Sequence, residues 1–403
     1  MVPTKRGIAM LVVGVVLYGL AWQTQIGWFY VADALVAAIF VVNLPLPWLA
    51  MRGLSASRTV TGRQQASGDL FEDDTIAIAT TLHNGSIVPK SLITLGETCP
   101  LADPNEREHG FLIAAIAPRG AVDADYEVRC YKRGVFTFDP VAVHTSAPFG
   151  LFRAGRTLDA PLEVTVYPRV LPMTTTFNPG FHQGLLPDNS PPVTSGEFRG
   201  SREFQHGDRV RNIHWRNSAR SGRLMVKEFD RTPQGEVRLA FNPEIEAGDG
   251  RDTTLEYGVK IAASVAHRCY GDGRPFRMWP AGDGDGLSTW HGVLEHLARL
   301  RQGPSDAVAE LMSRGGGQGL SILVVSASDT ETLLAVSDGP AVHQSIAVLL
   351  EGFDAEETDG AAALLERGGF SVVRCRPGEL PQAIETLSAA METTRPMERP
   401  VRV

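Results

Sequence analysis

Cysteine is scarce in this sequence, and its few copies are widely spaced. The 403 residues contain four, at Cys99, Cys130, Cys269 and Cys375, with no Cys-x-x-Cys pair among them. Structural zinc sites place their cysteines in closely spaced pairs, and disulfides are rare in reducing compartments. We therefore expect four unpaired structural thiols and no cysteine-held metal centre.

The common catalytic and nucleotide-binding motifs are also missing. The sequence contains no Gly-x-x-x-x-Gly-Lys-[Ser/Thr] loop, no Gly-x-Ser-x-Gly elbow and no His-Glu-x-x-His pair. These patterns carry the phosphate cradle of P-loop ATPases, the nucleophile of many hydrolases and the ligands of zinc proteases. Their absence excludes those classes for this chain, and we expect no cofactor.

The chain is too long for one hydrophobic core but has the composition of a folded protein. Its 403 residues exceed the roughly 250–300 residues at which single cores stop growing. Hydrophobic residues make up 43% and charged residues 21%, which excludes a wholly disordered or fibrous chain. At least two folded units are expected.

Charge is almost absent from one stretch near the N-terminus. Residues 7–51 contain a single acidic or basic side chain, Asp33, in 45 positions. As helices, the apolar runs Gly7–Gln23 and Trp28–Leu49 would be about 25 Å and 33 Å long, close to the thickness of a bilayer core. The pattern predicts a transmembrane hairpin in residues 1–54. A cleaved signal peptide, the alternative, does not account for the second run.

Basic residues flank this hairpin on both sides. Lys5 and Arg6 precede it, and Arg52, Arg58 and Arg63 follow it. By the positive-inside rule, both termini then lie in the cytoplasm. The sequence thus predicts a cell-membrane protein with two helices, the lipid bilayer as a partner and a large cytoplasmic part.

The remaining sequence predicts two domains of different class. From 55 to 168, short alternating runs separated by turn residues are typical of an all-β sandwich of immunoglobulin-like size. From 236 to 394, apolar strands alternate with helical patterns, which indicates an α/β Rossmann-like domain with a mostly parallel sheet. Residues 169–235 connect the two domains, and 395–403 are expected to be a disordered tail.

Helix boundaries are expected at several places in the α/β domain. Asp252 is expected to cap a helix that runs to about Tyr270, because Asp is a favoured N-cap residue. Further helical stretches are expected at His291–Arg301, Glu356–Arg367 and Leu380–Met391.

One segment, Gly196–Asp230, combines dense charge with aromatic residues. It has a net charge of +3, whereas the other 368 residues carry −11. Arginines alternate there with Phe198, Phe204 and Trp215. The candidate interaction or structural residues of this signature are Arg202, Glu203, Phe204, Gly207, Asp208, Arg211, Trp215, Arg220 and Arg223.

The signature closely resembles that of the domain of unknown function 58 family, which comprises bacterial membrane-anchored proteins. The matching residues are Arg202-Glu203-Phe204, Gly207-Asp208, Arg211, Ile213-His214-Trp215, Ala219-Arg220 and Gly222-Arg223-Leu224. Two smaller matches are Arg133–Phe136 and Pro148–Phe152, the second preceded by Ala147 where the family usually has Asp. The resemblance extends over nearly the whole chain and implies that the α/β domain is von Willebrand factor A-like.

The resemblance also implies partners. Members of this family often accompany a MoxR-type AAA+ ATPase, and a transglutaminase-like membrane protein is frequently present as well. These associations imply a membrane-anchored adaptor or scaffold that acts with such an ATPase in the assembly or maturation of other proteins. The resemblance implies no demonstrated reaction.

Three interpretations of the signature arginines stay open. Nucleic-acid binding is disfavoured, because acidic residues are interspersed and the isoelectric point is about 5.7. A structural bridge would pair the arginines with Asp208, Glu203 and backbone carbonyls. A docking or catalytic face is the third, and an uncharacterised hydrolase or transferase would use Asp208 with His206 and His214. Trp215 is expected in a core.

A degenerate metal site follows the first strand of the α/β domain. Von Willebrand-type domains usually bind Mg²⁺ there through Asp-x-Ser-x-Ser, whose oxygens are hard ligands. The corresponding residues here are Asn242, Glu244 and Glu246. We expect no metal at this loop and interpret it as a solvated acidic segment. We also expect Ser326–Asp329 to be an ordinary helix cap.

Overall fold

The computed structural model describes residues 2–61, 69–173, 198–203, 215–229, 236–279, 286–314, 319–340 and 344–393. The chain divides into two compact units, Met1–Arg169 and Val170–Val403.

Three helices lie near the start of the first unit. They are α1 (Lys5–Thr24), α2 (Gly27–Asn43) and α3 (Leu46–Met51). The hydroxyl oxygen of Thr4 caps α1 by accepting a hydrogen bond from the Gly7 amide at 3.1 Å. Two spans, Lys5–Thr24 and Gly27–Met51, are long and apolar enough to cross a membrane, and most of their side chains are not buried inside the protein.

The rest of this unit consists of antiparallel β-sheets. Its strands are β1 (Val2–Pro3), β2 (Leu54–Thr61), β3 (Thr75–Asn84), β4 (Lys90–Thr98), β5 (Glu108–Ile116), β6 (Ala121–Arg129), β7 (Gly134–Thr137), β8 (Val141–Thr145), β9 (Phe152–Leu158) and β10 (Glu163–Val166). They form a five-stranded sheet in the order β1-β9-β8-β4-β5, a three-stranded sheet β2-β3-β6 and a pair β7-β10. The predicted β-rich character of this region is confirmed.

The two larger sheets share one hydrophobic core. Successive residues of β3 alternate between buried and less buried, because neighbouring side chains of a strand point to opposite faces. Leu82 and Ala124 of the three-stranded sheet pack in one cluster with Leu95 and Val143 of the five-stranded sheet. The sheets therefore lie face to face, as in a sandwich.

The second unit contains a parallel sheet covered by helices. The strands are β11 (Phe198–Glu203), β12 (Met225–Phe229), β13 (Glu236–Phe241), β14 (Gly248–Asp249), β15 (Asp252–Thr253), β16 (Phe276–Trp279), β17 (Gly319–Ser326), β18 (Ser345–Leu350) and β19 (Phe370–Cys375). The helices are α4 (Trp215–Ser221), α5 (Thr254–Gly271), α6 (Trp290–Arg299), α7 (Ala307–Arg314), α8 (Thr330–Asp338), α9 (Ala361–Arg367) and α10 (Leu380–Thr393). The five-stranded sheet has the order β16-β13-β17-β18-β19, with every neighbouring pair parallel.

Helices cover both faces of this sheet. Ile322 and Val324 of β17 pack on one side with residues of α5, α6 and α10, whereas Leu323 and Val325 pack on the other side with residues of α7, α8 and α9. Every residue of β17 is buried, as expected for a central strand of a parallel sheet. The predicted α/β architecture with a parallel sheet is confirmed.

Two predicted helix starts in this unit are wrong. Thr253, not Asp252, caps α5, because its hydroxyl accepts from the Glu256 amide at 3.2 Å while Asp252 pairs with Asp249 in a short hairpin. The helix expected from Glu356 begins only at Ala361. The preceding Gly360 takes a left-handed φ of 73°, which interrupts any helix approaching from Glu356.

Candidate functional site

The described part of the signature contains a pair of antiparallel strands and a short helix. β11 pairs with β12 so that Arg202 lies opposite Val226 and Glu203 lies opposite Met225. The short helix α4 precedes β12 in the chain. Two of the predicted residues are therefore held on a strand, where pairing fixes their backbone positions.

A side-chain hydrogen bond joins helix α4 to β12. The buried hydroxyl of Ser218 accepts from the Met225 amide at 2.8 Å. Gly222, directly after the helix, has a φ of 69°, a left-handed conformation that ends helices and that glycine adopts without steric cost. This turn redirects the chain into β12 within three residues.

The helix and its following turn expose several side chains, among them an indole ring and two arginines. Trp215 is 64% exposed and Leu224 is 47% exposed, and Ala219, Arg220 and Arg223 are also exposed. We refer to these five residues as the Trp215 surface. Tryptophan and arginine are among the residue types most enriched at energetic hot spots of protein interfaces. The Trp215 surface therefore has the composition of a docking site.

The expectation that Trp215 lies in a core is wrong. It stands at the first position of a seven-residue helix. The positions three and four residues later, Ser218 and Ala219, are small, so α4 offers no apolar stripe that could bury an indole ring.

The other signature residues lie outside the described part of the chain. These are Phe204, Gly207, Asp208 and Arg211, together with His206 and His214 of the alternative catalytic hypothesis. Both the structural bridge through Asp208 and the His–Asp arrangement stay predictions. Arg220 and Arg223 are described, and both are on the Trp215 surface.

A second candidate site lies at the carboxyl edge of the parallel sheet. In its strand order, β13 and β17 are the neighbours from which the chain proceeds in opposite directions across the sheet. Crevices at such switch points are the usual ligand sites of open α/β sheets. Here Asn242 follows β13, and Ser326–Asp329 begins at the last residue of β17, so the loop that resembles a degenerate metal site falls at this point.

Asn242 fills this crevice with hydrogen bonds of its own. It is buried, and its side-chain Nδ2 donates to Asp329 Oδ2 at 2.6 Å and to Thr332 Oγ1 at 2.9 Å. Its Oδ1 accepts from the Glu244 amide at 3.3 Å. A donor nitrogen therefore faces the Asp329 carboxylate, where an oxygen ligand would face a cation.

The neighbouring groups add no metal ligand set. Glu244 is exposed and Glu246 is half-buried, and no cluster of three or more His, Cys, Asp or Glu side chains in the described residues could hold a metal ion. Asp329 caps α8, because its Oδ1 accepts from the Thr332 amide at 3.1 Å. The predicted helix-cap role of this segment is confirmed. The contact between Asn242 and Asp329 was not predicted. Both residues follow predicted strands of a parallel sheet, and the carboxyl ends of neighbouring parallel strands lie at the same edge, so the sequence held a signal for it.

The four cysteines are buried and unpaired, as predicted. Burial raises the pKa values of Cys130, Cys269 and Cys375 to about 12, and it also raises the pKa of Cys99. Since the thiolate is the nucleophile and the metal ligand, none of them is poised for cysteine chemistry at neutral pH.

Residues 200–300 match the model of the family described as "Protein of unknown function DUF58". The predicted family resemblance is confirmed. The match covers β12, β13 and α5 together with the Trp215 surface and Asn242. The Trp215 surface and Asn242 therefore lie within the part of the chain that matches the family model, whereas Asp329, the partner of Asn242, lies outside it.

Among curated proteins, the chain is similar to the "Uncharacterized protein YeaD" of Bacillus subtilis (strain 168). The two are 21% identical over 383 residues, which cover 92% of this chain and 93% of that protein. The similarity thus extends over most of both chains.

Two solved structures resemble the chain distantly. The bacterial hydrophobin BslA is 12% identical with a TM-score of 0.20, and covers 28% of this chain and 95% of its own. An exo β-N-acetylglucosaminidase of Vibrio harveyi is 10% identical with a TM-score of 0.22, and covers 85% of this chain and 74% of its own. Likenesses of this size carry no argument about fold or function.

Proposed function

We propose that this chain is a membrane-anchored adaptor that faces the cytoplasm and acts with a MoxR-type AAA+ ATPase in the assembly or maturation of other proteins. The observation that carries the adaptor role is the exposure of the Trp215 surface. An indole ring exposed to 64% beside exposed arginines is costly to leave in water and is suited to a protein partner. The ATPase, and a transglutaminase-like membrane protein as a second partner, are proposed from the family resemblance.

The membrane anchor in this proposal consists of α1 to α3. The helix of 20 residues from Lys5 to Thr24 is about 30 Å long, close to the thickness of a hydrocarbon core. The cations before and after the hairpin favour cytoplasmic termini. The two soluble domains would then share one side of the membrane with the ATPase.

We also propose a fold type for each of the two domains. We infer that the β domain is immunoglobulin-like and that the α/β domain is von Willebrand factor A-like with a degenerate cation site. The inference is supported by the sandwich packing of the β domain and by the position of Asn242 at the sheet edge. We do not propose metal-dependent adhesion, because Asn242 presents a donor nitrogen to Asp329 where a bound cation would need oxygen ligands.

A crosslinking experiment tests the adaptor role. A photoreactive amino acid would be placed at position 215 in the full chain, and membranes would be irradiated with the ATPase held in a nucleotide-trapped state. We expect recovery of an AAA+ ATPase. Recovery of no ATPase from the trapped membranes would refute the partnership.

Matched substitutions test which surface is used. Trp215→Ala should weaken recovery of the ATPase, since truncating an interface hot spot costs about 2 kcal/mol or more, which is roughly thirtyfold in affinity. Tyr270→Ala is the control, because Tyr270 is an aromatic residue of the same unit with a similar exposure of 67%. Equal loss in both variants would show that the Trp215 surface is not the docking site.

A further inference from the structure

The end of the β domain next to the membrane helices combines exposed apolar and basic side chains. It is built from five segments, which we call the helix-proximal surface: residues 2–8, 46–54, 84–92, 117–120 and 146–153. Together they contain six Lys or Arg and no Asp or Glu. Such a combination is typical of protein surfaces that lie against anionic lipid.

Hydrogen bonds hold the start of α1 against the loop before β9. The Thr4 amide donates to the Leu151 carbonyl at 2.9 Å, and Val2 pairs with Arg153. Gly7 approaches this loop so closely that a Cβ there would overlap the Leu151 carbonyl oxygen. The N-terminal end of the first membrane helix is therefore fixed to the segment that contains Phe149.

The end of α3 is held by the loop between β3 and β4 and by the first residue of β4. The Lys90 ammonium donates to the Leu49 carbonyl at 2.7 Å, and the Gly85 amide donates to the Gly53 carbonyl at 2.8 Å. The Arg119 amide donates to the Ser86 carbonyl at 3.0 Å, so the turn between β5 and β6 contacts the same loop. Both helix ends thus meet the same end of the β domain.

Exposed apolar side chains of the β domain are concentrated at this end. Within residues 55–169, the described part of the chain exposes five large apolar side chains. Four of them, Ile87, Val88, Leu92 and Phe149, belong to the helix-proximal surface. The fifth, Leu112, lies in the middle of the edge strand β5.

The short chain distance from the start of α1 puts Phe149 within reach of the headgroup layer. Phe149 is two residues from Leu151, and two residues of extended chain span at most about 7 Å. The headgroup layer on one side of a bilayer is roughly 5–8 Å thick. A side chain this close to a helix end is within reach of the layer if the helix crosses the membrane.

Basic side chains accompany the apolar ones. Lys5, Arg6, Arg52, Arg119 and Arg153 are all exposed, and the Arg52 guanidinium lies 3.6 Å from the Trp48 ring centroid. A tryptophan with a stacked arginine is suited to the interface, where the ring meets the acyl boundary and the cation meets phosphate.

We propose that the helix-proximal surface is a lipid-binding face, in which Ile87, Val88 and Phe149 enter the headgroup region of the bilayer while Arg52 and Arg119 pair with anionic lipid phosphates. This proposal rests on the proposed membrane anchor. Its consequence is that the β domain lies on the bilayer as a monotopic module and does not extend away from it on a flexible linker.

Nitroxide spin labels at single introduced cysteines test the proposal on the full chain. The labelled variants are Ile87→Cys and Phe149→Cys, with Leu112→Cys as the control for an exposed apolar position away from the helices. Val15→Cys reports on the anchor, because Val15 lies within α1 and is 66% exposed. The four native cysteines are buried, so labelling is selective, and their continued protection shows that each variant is folded.

The labelled chain is reconstituted in vesicles of equal parts phosphatidylcholine and phosphatidylglycerol, and the accessibility of each label to oxygen and to an aqueous nickel chelate is measured. We expect labels at 15, 87 and 149 to lose access to nickel and to retain access to oxygen. The label at 112 should be accessible to nickel. The purified chain has no partner protein in these vesicles, so protection at 87 and 149 comes from lipid.

Two contrary outcomes are distinguishable. If labels at 87 and 149 are as accessible to nickel as the label at 112 while the label at 15 is protected, the lipid contact is wrong and the anchor stands. If the label at 15 is also accessible to nickel, the anchor and the contact are both overturned. In phosphatidylcholine alone, protection at 87 should weaken, and equal protection would refute the role assigned to Arg52 and Arg119.

Discussion

Arg58 and Glu97 form an ion pair between the two sheets of the β domain, and removing one partner should be costly. Arg58 is on β2 and Glu97 is on β4; their Nε and Oε1 atoms are 2.7 Å apart, and both side chains are 0% exposed. The Thr80 hydroxyl donates to Glu97 Oε2 at 2.6 Å, and Arg58 Nη1 donates to the Ala160 carbonyl at 2.8 Å. Each charge is thus satisfied mainly by the other.

The expected magnitude depends on this burial. In Arg58→Met the Glu97 carboxylate stays buried, and of the two hydrogen bonds described above it keeps the one from Thr80. A buried charge that has lost its counter-charge costs about 3–5 kcal/mol. Arg58 Nη2 has no hydrogen-bond partner in the described part of the chain, so the pair itself is not ideal. The double variant Arg58→Met/Glu97→Leu should therefore lie within about 1–2 kcal/mol of the wild type.

The native cysteines provide an assay that separates the two units. Cys99 and Cys130 are buried in the β domain, and Cys269 and Cys375 are buried in the α/β domain. In the full chain in detergent, the rate at which each thiol is labelled reports the local opening of its own unit. A loss of about 3 kcal/mol should raise labelling of Cys99 and Cys130 by about a hundredfold, since roughly 1.4 kcal/mol is tenfold.

Two results would refute this reasoning. If the double variant is labelled faster at Cys99 than either single variant, the pair is a net source of stability and the desolvation argument fails. If Arg58→Met leaves labelling of Cys99 unchanged, Glu97 is not a buried charge. Labelling of Cys269 is the internal control and should stay constant throughout.

Two further predictions concern the α/β domain. Asn242→Asp replaces a donor that faces Asp329 with a second carboxylate, so thermal unfolding should show a loss of about 2–3 kcal/mol of stability. Mg²⁺ should restore part of this stability in Asn242→Asp but should not stabilise Asn242→Ala. Equal stabilisation of the wild type by Mg²⁺ would show that the crevice already binds the ion. Burial lowers the pKa of His296 from its ordinary value near 6.5, so the unfolded chain binds the proton more readily, and stability should be complete above pH 6.5 and be lost as pH falls below it. His296→Gln should flatten that part of the pH profile, and an unchanged slope would rule out His296 as its cause.

Strands and helices with strong periodic patterns were predictable from local sequence. The expected helix Leu380–Met391 begins at the first residue of α10 and ends two residues before α10 does, and the expected helix His291–Arg301 differs from α6 by one or two residues at each end. In these segments the apolar residues that face the core repeat at the period of the element, so local sequence carries the information. Strands β2 and β9 were not predicted. Both contain many polar residues, and their assignment depends on the neighbouring strands with which they pair.

The candidate sites were predictable in composition but not in arrangement. The charge and aromatic content of the signature identified Trp215 and its arginines as candidates. The absence of an apolar stripe on α4 was a local signal against a core position for Trp215, but the extent of its exposure depends on which other elements cover the helix. Asn242 was identified from its place after β13, but its partner Asp329 is 87 residues away in the chain and is brought to it only by the pairing of β13 with β17.

The sequence by itself determined the classes of the parts: an apolar helical hairpin, a β domain, a basic signature and an α/β domain, because each class has its own local period and composition. Only the tertiary structure decided which side chains from distant segments lie next to one another. The helix-proximal surface is composed of five segments spread over about 150 residues, none of which is distinctive on its own. Its character arises because strand pairing and helix contacts place their apolar and basic side chains at one end of a sandwich. Such contacts between distant residues depend on the global packing of the chain, and no local pattern encodes them.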